Sequence, residues 1–529
     1  MSMLFDAIII GSGPAGVSAA FPLVEAGLRV LMVDGGQKAS VEPPTQDFLT
    51  WRHKDINQFE RMVGKGFYAL HGSKEVTPKM RIPALSYVFA DFENRNQIES
   101  LEFAAIGSLS TGGLSNAWGC GVSQYSESEL SNFPFAASEL TFSYSAIAQR
   151  IGISGGGDDD LQNYLGLNDG SQPPIALDKL NEHLYKYYLQ KKISEPNNSA
   201  FLLGRSRVAI LSQNKNGRLA CNLSSNCLWG CSRKSLYSAA DEIPNLLKFE
   251  NFTFVPGFIV SDLKPDNSHW QILGSDILGQ KNEFFIGKKI LLAAGTIAST
   301  RIALAAMDYR QKVRILSCPT AAFLLWLPKF LGSACNLGLG TAQLSYQVKL
   351  KGGIVGFGST LSTTGIPRSE LSKRLPLKTP NSFALLKNLL PSCLIGNLFL
   401  PGQLSNANAV LLANGKLHIE HTPNELIPSL MSQVKKILSI NFKKFGAIMM
   451  PSSFSIGAPG SDIHYSGTLP MKRDPRSGEC HANGELANLK NVHVVDASCL
   501  PYLSEKPHTL TVMANADRIA REIAKYHPS

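Results

Sequence analysis

Several things are missing from this 529-residue chain, and each absence excludes something. No apolar run is long enough for a membrane span, which requires about 20 apolar residues in a row. The two longest candidates, 321–327 and 385–400, end at Pro328 or are broken by Lys387, Asn388, Pro391 and Asn397. Both read as buried core. The alternative is peripheral membrane contact, with these segments dipping into lipid beside Arg368, Lys373, Arg374 and Lys378. There is no basic low-complexity tail and no zinc-finger spacing, so nucleic acid is discounted as a partner. Few residues precede the first apolar run, which leaves no room for a cleavable signal peptide and predicts a cytoplasmic protein, membrane-associated if those segments touch lipid. Charge is sparse, at 17%, while 44% of residues are hydrophobic, so the chain buries a core rather than staying disordered. Lys and Arg total 51 against 41 Asp and Glu. That excess suits an anionic surface, an acidic substrate or a plain solvated face equally. Nine cysteines, an odd number, need no disulfides in a reducing compartment. The cluster Cys221, Cys227, Cys231 lacks an evident fourth ligand, and His418 with His421 lacks further ligands, so no metal is expected.

What is present begins at the N-terminus. The apolar run Ala7-Ile8-Ile9-Ile10 enters Gly11-Ser12-Gly13-Pro14-Ala15-Gly16. A strand turning into a helix through G-x-G-x-x-G is the dinucleotide fingerprint. Gly11 permits the tight turn, Gly13 lets the backbone approach a pyrophosphate, and Gly16 lets the helix pack on the strand. The helix start adds free N–H groups and the positive end of its dipole. A second strand, 29–33, ends at Asp34, an acid placed for ribose hydroxyls. An ordinary glycine-rich turn is the weaker reading, because strand, helix and acid all stand in place.

Periodicity predicts further elements. Helices are expected over 138–151, 181–191, 297–306, 424–445 and 509–526, and strands over 251–260, 270–273, 289–295 and 491–495. Residues 37–100 read as polar and irregular, and 312–420 as short strands and loops. The dinucleotide unit is thus assembled from distant pieces, with a second unit inserted between them.

Five stretches, in order, are similar to the glucose–methanol–choline oxidoreductase family: the fingerprint 11–16 with Asp34; Gly112-Gly113-Leu114-Ser115-Asn116-Ala117-Trp118-Gly119; Cys227 to Ala239; Leu291 to Arg301; and the C-terminal part from His464. The likeness is weak or absent over 306–450. The resemblance implies an α/β fold, a doubly wound (Rossmann-like) FAD-binding domain with an interleaved antiparallel-sheet substrate domain. The expected division places 1–40, 100–125, 200–305 and 455–529 in the FAD-binding domain. Residues 41–99, 126–199 and 306–454 form the substrate or cap domain.

The resemblance also implies roles. His464, in an H-x-x-G-T-x-x-M pattern completed by Met471, matches the family's catalytic histidine. His508, in Pro507-His508-Thr509-Leu510-Thr511, matches a second position that is His or Asn. A neutral imidazole can take the hydroxyl proton of an alcohol while the flavin takes the hydride. His464 is expected to be the base and His508 to hydrogen-bond the substrate oxygen. Cofactor contacts are expected from Gly11, Gly13, Pro14, Ala15, Gly16, Asp34, Gly113, Ser115, Asn116, Ala117, Gly295, Asp496, His508, Thr509 and Leu510. Asp496 reads equally as a cap for the turn that follows it. His493 reads as a packing residue.

Two departures matter. Asn116-Ala117-Trp118 offers no histidine for flavin attachment, so FAD is expected to be non-covalent. Leu469 and Pro470 replace the cysteine and arginine common after the G-T pair, which alters local packing but leaves His464 in place. The expected activity is FAD-dependent oxidation of a small-molecule alcohol, such as a sugar, polyol or glycosylated intermediate, to a carbonyl. Quinone, oxygen or a carrier protein would reoxidise the flavin. The rival readings are a non-redox FAD-containing lyase and a non-catalytic flavin-bound interaction protein.

Overall fold

The computed structural model describes residues 3–56, 58–70, 77–167, 171–194, 200–280, 282–372 and 375–526. Lys373 and Arg374, two of the basic neighbours named above, lie outside the described residues.

The buried run LFDAIII forms the strand Leu4–Ile10, the centre of a seven-stranded sheet. It pairs in parallel with Val30–Asp34 on one edge and with Asn282–Leu292 on the other. Phe252–Pro256 continues the first side, and Val492–Val494 continues the second beside the end of Asn282–Leu292. In space the five parallel strands therefore run third, second, first, fourth, fifth in chain order. This is the doubly wound order, in which strands buried on both faces are continuously apolar. The first half of Asn282–Leu292 instead pairs with His269–Asp276, which pairs with Phe258–Asp266, so an antiparallel meander grows from the same strand. Helices Pro14–Glu25, Thr141–Ile151 and Thr509–Lys525 pack against one another and share the core of this sheet.

The second large sheet is antiparallel. Its order is Ile448–Met449, Thr320–Trp326, Cys393–Phe399, Val355–Ser362, Leu344–Lys349, Phe201–Arg205, with Ser455–Ile456 also on Thr320–Trp326. Alternation along its strands decides its two faces. Leu344, Tyr346, Val348, Leu394 and Leu398 join Leu430, Val434, Leu438 and Phe442 of helix Leu426–Lys444 in a separate core. The other face is turned toward the functional cavity. A smaller sheet, Ile98–Leu101, Lys416–Glu420, Ala409–Ala413 and Val313–Arg314, joins the first core through Ile98, Leu417, Ile419, Val410 and Leu412.

The elements expected from periodicity form, with three differences, one of which is the eleven-residue helix Thr379–Leu389 within 312–420, read as short strands and loops. The segment 251–260 is two strands, because Gly257 turns the chain at φ +86°. Residues 37–100 hold helical turns too short to show a period, and Phe48, Trp51, Ile82 and Leu85 cluster with Trp229. Of the two apolar segments, Thr320–Trp326 is an alternating core strand, and 385–400 divides between helix Thr379–Leu389 and strand Cys393–Phe399. That helix leaves Phe383 and Leu385 exposed. Among the described residues no helix is long and apolar enough to cross a membrane.

The expected domain limits meet the structure unevenly. Phe201–Arg205 and Ser455–Ile456 belong to the antiparallel sheet, while Leu130, Phe133, Tyr144, Ile147 and Ile151 lie in the core of the parallel one. We propose an interleaved two-unit division in which those segments change sides.

Candidate active site

The glycine turn is set by close approach. Gly11 has φ +109°, and a Cβ there would stand 2.3 Å from the Ala293 carbonyl oxygen. A Cβ on Gly16 would stand 2.0 Å from the Gly11 oxygen, so Gly16 serves helix packing and does not line the cavity. A Cβ on Gly13 would meet nothing within 4 Å. That open space belongs to a cavity of about 510 Å³, a size suited to a cofactor and a small substrate. Gly11, Gly13, Pro14, Ala15, Asp34, Gly113, Ser115, Ala117, Gly295, Asp496, His508 and Thr509 line it together with His464. Two helices begin at its wall, Pro14–Glu25 and Thr509–Lys525, and each brings its unpaired N–H groups and positive dipole end there. The residues fit a dinucleotide with an anionic centre.

The acids at the wall are held by the protein. The Asp34 carboxylate accepts from the Ser12 hydroxyl and, at 2.9 Å, from the Gly36 N–H. Burial raises its pKa, opposed by those hydrogen bonds. Asp496 accepts from the Gly295 N–H at 2.9 Å, from Ser299 Oγ at 2.5 Å and from the Ser498 N–H at 3.0 Å. It therefore caps the turn Ala497–Cys499 and also ties Gly295 to the C-terminal segment. Asn116 and Leu510 do not line the cavity. Asn116 Nδ2 donates to Thr111 O and Gly113 O, and its Oδ1 accepts from Ser238 Oγ, so it braces the loop. Leu510 is fully buried because its helix packs that position into the core. Gly16, Asn116 and Leu510, expected as cofactor contacts, thus stand in the scaffold behind the cavity lining.

The two C-terminal histidines come together at the other end. Their ring centroids lie 5.0 Å apart. Neither Nδ1 has a hydrogen-bond partner, although both atoms are buried. Burial lowers the His508 pKa to about 4. Burial, then His508, then Lys79 push that of His464 well below its ordinary 6.5. Both rings are therefore neutral near pH 7. His493, by contrast, is buried at the sheet and bonds Asn483 O through Nδ1, a packing role.

Some lining residues carried no sequence signal. Asp462 accepts from Ser317 Oγ and the Cys318 N–H, both at 2.7 Å, and from the His464 N–H at 3.2 Å. Burial pushes its carboxyl up to about 7. Cys318, Asp462 and His464 have ligand atoms within 4.8 Å of one another, a closeness explained by these hydrogen bonds and that from Cys318 Sγ to Ser504 O. Lys79 reaches the cavity from the segment read as irregular, and its ammonium has no acceptor among the described residues. The roof comes from the antiparallel sheet, through Ser345, Phe357, Ser359, Leu361, Asn397 and Phe399. The H-x-x-G-T spacing marks His464, but cross-strand neighbours such as Ser345 and Asn397 have no shared local motif.

A family model described as GMC oxidoreductase matches residues 455–516, the stretch that carries both histidines. A second, described as pyridine nucleotide-disulphide oxidoreductase, matches 5–105, which contains the glycine turn. The chain thus carries a C-terminal domain of the glucose–methanol–choline oxidoreductase type behind an N-terminal FAD-binding domain. It is an FAD-dependent oxidoreductase. Paromamine 6'-oxidase from Streptomyces fradiae is 24% identical over 563 residues, covering 98% of this chain and 91% of that protein. The fold is shared with pyridoxine 4-oxidase from Mesorbium loti, at TM-score 0.60 and 15% identity over 99% of this chain and 100% of that one. It is shared also with a formate oxidase, at TM-score 0.61 and 13% identity over 100% and 99% of the two chains.

Proposed function

We propose that this protein oxidises an alcohol to a carbonyl compound, with FAD held non-covalently along the cavity. The supporting observation is the pairing of two neutral, buried imidazoles with unsatisfied Nδ1 atoms at one end and an open glycine turn at the other. The backbone of Gly13, Pro14 and Ala15 would hold the pyrophosphate, Asp34 the ribose, and the start of helix Thr509–Lys525 the ring end. Bound FAD supplies the acceptor for the hydride of the alcohol carbon.

His464 takes the hydroxyl proton, and His508 donates to the oxygen as negative charge develops there. A base whose pKa is depressed holds a proton weakly, so proton removal must accompany C–H cleavage rather than precede it. Burial of the two histidines strengthens every dipole aimed at that oxygen. Lys79 faces the same space; burial lowers its pKa, and in its protonated form it favours alkoxide character there.

The relatives are named as oxidases, of paromamine, pyridoxine and formate, which favours oxygen as the electron acceptor over a quinone or carrier protein. The test is anaerobic mixing of the holoenzyme with a panel of alcohols. Bleaching of the flavin absorbance is expected. Carbonyl formation without bleaching would instead mark the lyase, and retention of biological effect in His464→Ala the non-catalytic protein.

A further inference from the structure

Asp462 has no part in the proton and hydride transfers, yet the backbone is bent to bring it beside the base. Ile463, between Asp462 and His464, has φ +60°, a left-handed conformation that a β-branched residue rarely adopts. All three residues line the cavity. Strain of this kind persists only where the surroundings fix it, and here three hydrogen bonds hold the carboxylate. Ser317 Oγ donates to one of its oxygens, and the Cys318 and His464 N–H groups donate to the other. Each of these partners is a donor, so the arrangement suits a carboxylate rather than a carboxylic acid. An Asp462 oxygen and a His464 ring nitrogen lie within 4.8 Å of each other. His464 Nδ1 has no hydrogen-bond partner, so the carboxylate acts on the imidazole by its charge.

The charge that His464 acquires needs an answer. When the imidazole takes the hydroxyl proton it becomes a cation in a desolvated site, beside a second imidazole that cannot also be charged. The titratable groups around Asp462 decide what can offset that cation. Cys318 and Tyr465 both feel its charge, but burial raises the thiol and the phenol well above their ordinary values, so both stay neutral. Glu505 acts on Cys318 and is bonded by Tyr164 and Ser504, and Glu93 acts on Tyr465. Lys79 and His508 act on His464 itself, and both disfavour a positive charge there. Asp462 is the member of this set whose negative charge stands next to the imidazole. Burial pushes its carboxyl up to about 7, so the ionised form is populated at neutral pH and grows above it.

We propose that Asp462 is a positioning residue for the oxidation: its carboxylate fixes the backbone at His464 and serves as counter-ion to the imidazolium formed as the hydroxyl proton is taken. The proton passes from the alcohol oxygen to His464, the hydride leaves the alcohol carbon with its electron pair for the bound FAD, and no bond to Asp462 forms or breaks. This rests on the alcohol-oxidation reading and deepens it by adding a third group to the histidine pair. It also gives a function to a cost, because a buried carboxyl with a raised pKa loses stability as it ionises.

The experiment mixes holoenzyme anaerobically with ethanol, benzyl alcohol, glycerol and methyl glucoside in a stopped-flow instrument. The alcohol that bleaches the flavin fastest is then used across a pH series. The limiting reduction rate of the parent chain should rise with pH through about 7 to a plateau. Asp462→Asn should remove that limb and lower the plateau about 10- to 100-fold, with the Kd of the alcohol changed less than about threefold. Ser317→Ala removes one donor and keeps the charge, so it should move the limb to higher pH. Urea unfolding at pH 8 separates this role from a purely structural one. Asp462→Asn should gain stability there while losing rate, whereas a structural residue would lose both. If Asp462→Asn does not fold, the Ser317→Ala profile decides, and an unmoved limb counts against the counter-ion. A parent rate flat across this range, or an Asp462→Asn profile like the parent's, would overturn the inference while leaving alcohol oxidation standing. Bleaching by none of the four alcohols would overturn both.

Discussion

His464 and His508 meet edge to face, with ring planes 77° apart, although they stand 44 positions apart in the chain. The first lies between the turn held by Asp462 and the short strand Tyr465–Ser466, and the second stands at the start of helix Thr509–Lys525. Two imidazoles this close, both desolvated, cannot both be charged. One is free to take a proton only while the other stays neutral, which suits a base beside a hydrogen-bond donor.

His464→Ala should slow anaerobic flavin reduction by roughly 10²–10⁴-fold, the usual loss for a general base. The FAD content should be unchanged. His508→Asn should lose less than His508→Ala, because an amide still donates to the substrate oxygen. Stopped-flow absorbance measures all three. A reduction rate unaffected by His464→Ala removes the base assignment.

The pH dependence of stability has opposing contributions. His508 has a folded pKa of about 4 against an ordinary 6.5, so the unfolded chain binds the extra proton between those values. The stability it contributes is present above about 6.5 and is lost as pH falls through about 4. Asp462 runs the other way, raised to about 7 from 3.8. Its contribution is present below 3.8 and is lost as pH rises through about 7. Asp462→Asn should therefore look progressively better, relative to the parent chain, from pH 5 to pH 8. Urea unfolding at a series of pH values checks this, and a pH-independent difference would count against a raised Asp462.

The fingerprint glycines should separate by role. Gly11→Ala places a Cβ against the Ala293 carbonyl at a φ that side chains rarely adopt, and strain of this kind costs about 1–3 kcal/mol or more. The apoprotein should melt several degrees lower. Gly13→Val projects into open cavity, so the apoprotein Tm should hold while FAD occupancy collapses. Thermal melts of FAD-stripped protein, with the ratio of FAD to protein after reconstitution, distinguish the two. Equal Tm losses would sink the assignment of Gly13 to the cofactor.

Acid precipitation of the holoenzyme should release the yellow colour to the supernatant, since the loop Asn116-Ala117-Trp118 offers no histidine for attachment. Colour retained in the protein pellet would reveal a covalent flavin.

The parallel unit was legible because its signals are local. The strand Leu4–Ile10, the glycine turn and helix Pro14–Glu25 are contiguous, and each is written in neighbouring residues. The long helices Leu426–Lys444 and Thr509–Lys525 repeat their apolar positions often enough to be read. The short helices between 48 and 95 do not, and Lys79 sits among them. The meander from Phe258 to Leu292 escaped because one strand, Asn282–Leu292, serves two partners along the same edge.

The sequence by itself determined the dinucleotide turn, the acid after it and the motifs that surround the two histidines. Those depend on backbone freedom at particular glycines and on groups spaced within a few residues. Only the tertiary structure decided which side chains share the cavity. It turned Asn116 and Leu510 inward as scaffold and brought Asp462 under His464. It also lined up Ser345, Ser359 and Asn397 across three strands. The physical reason is register: hydrogen bonds between strands far apart in the chain set which residues stand opposite one another, and no local pattern records that pairing.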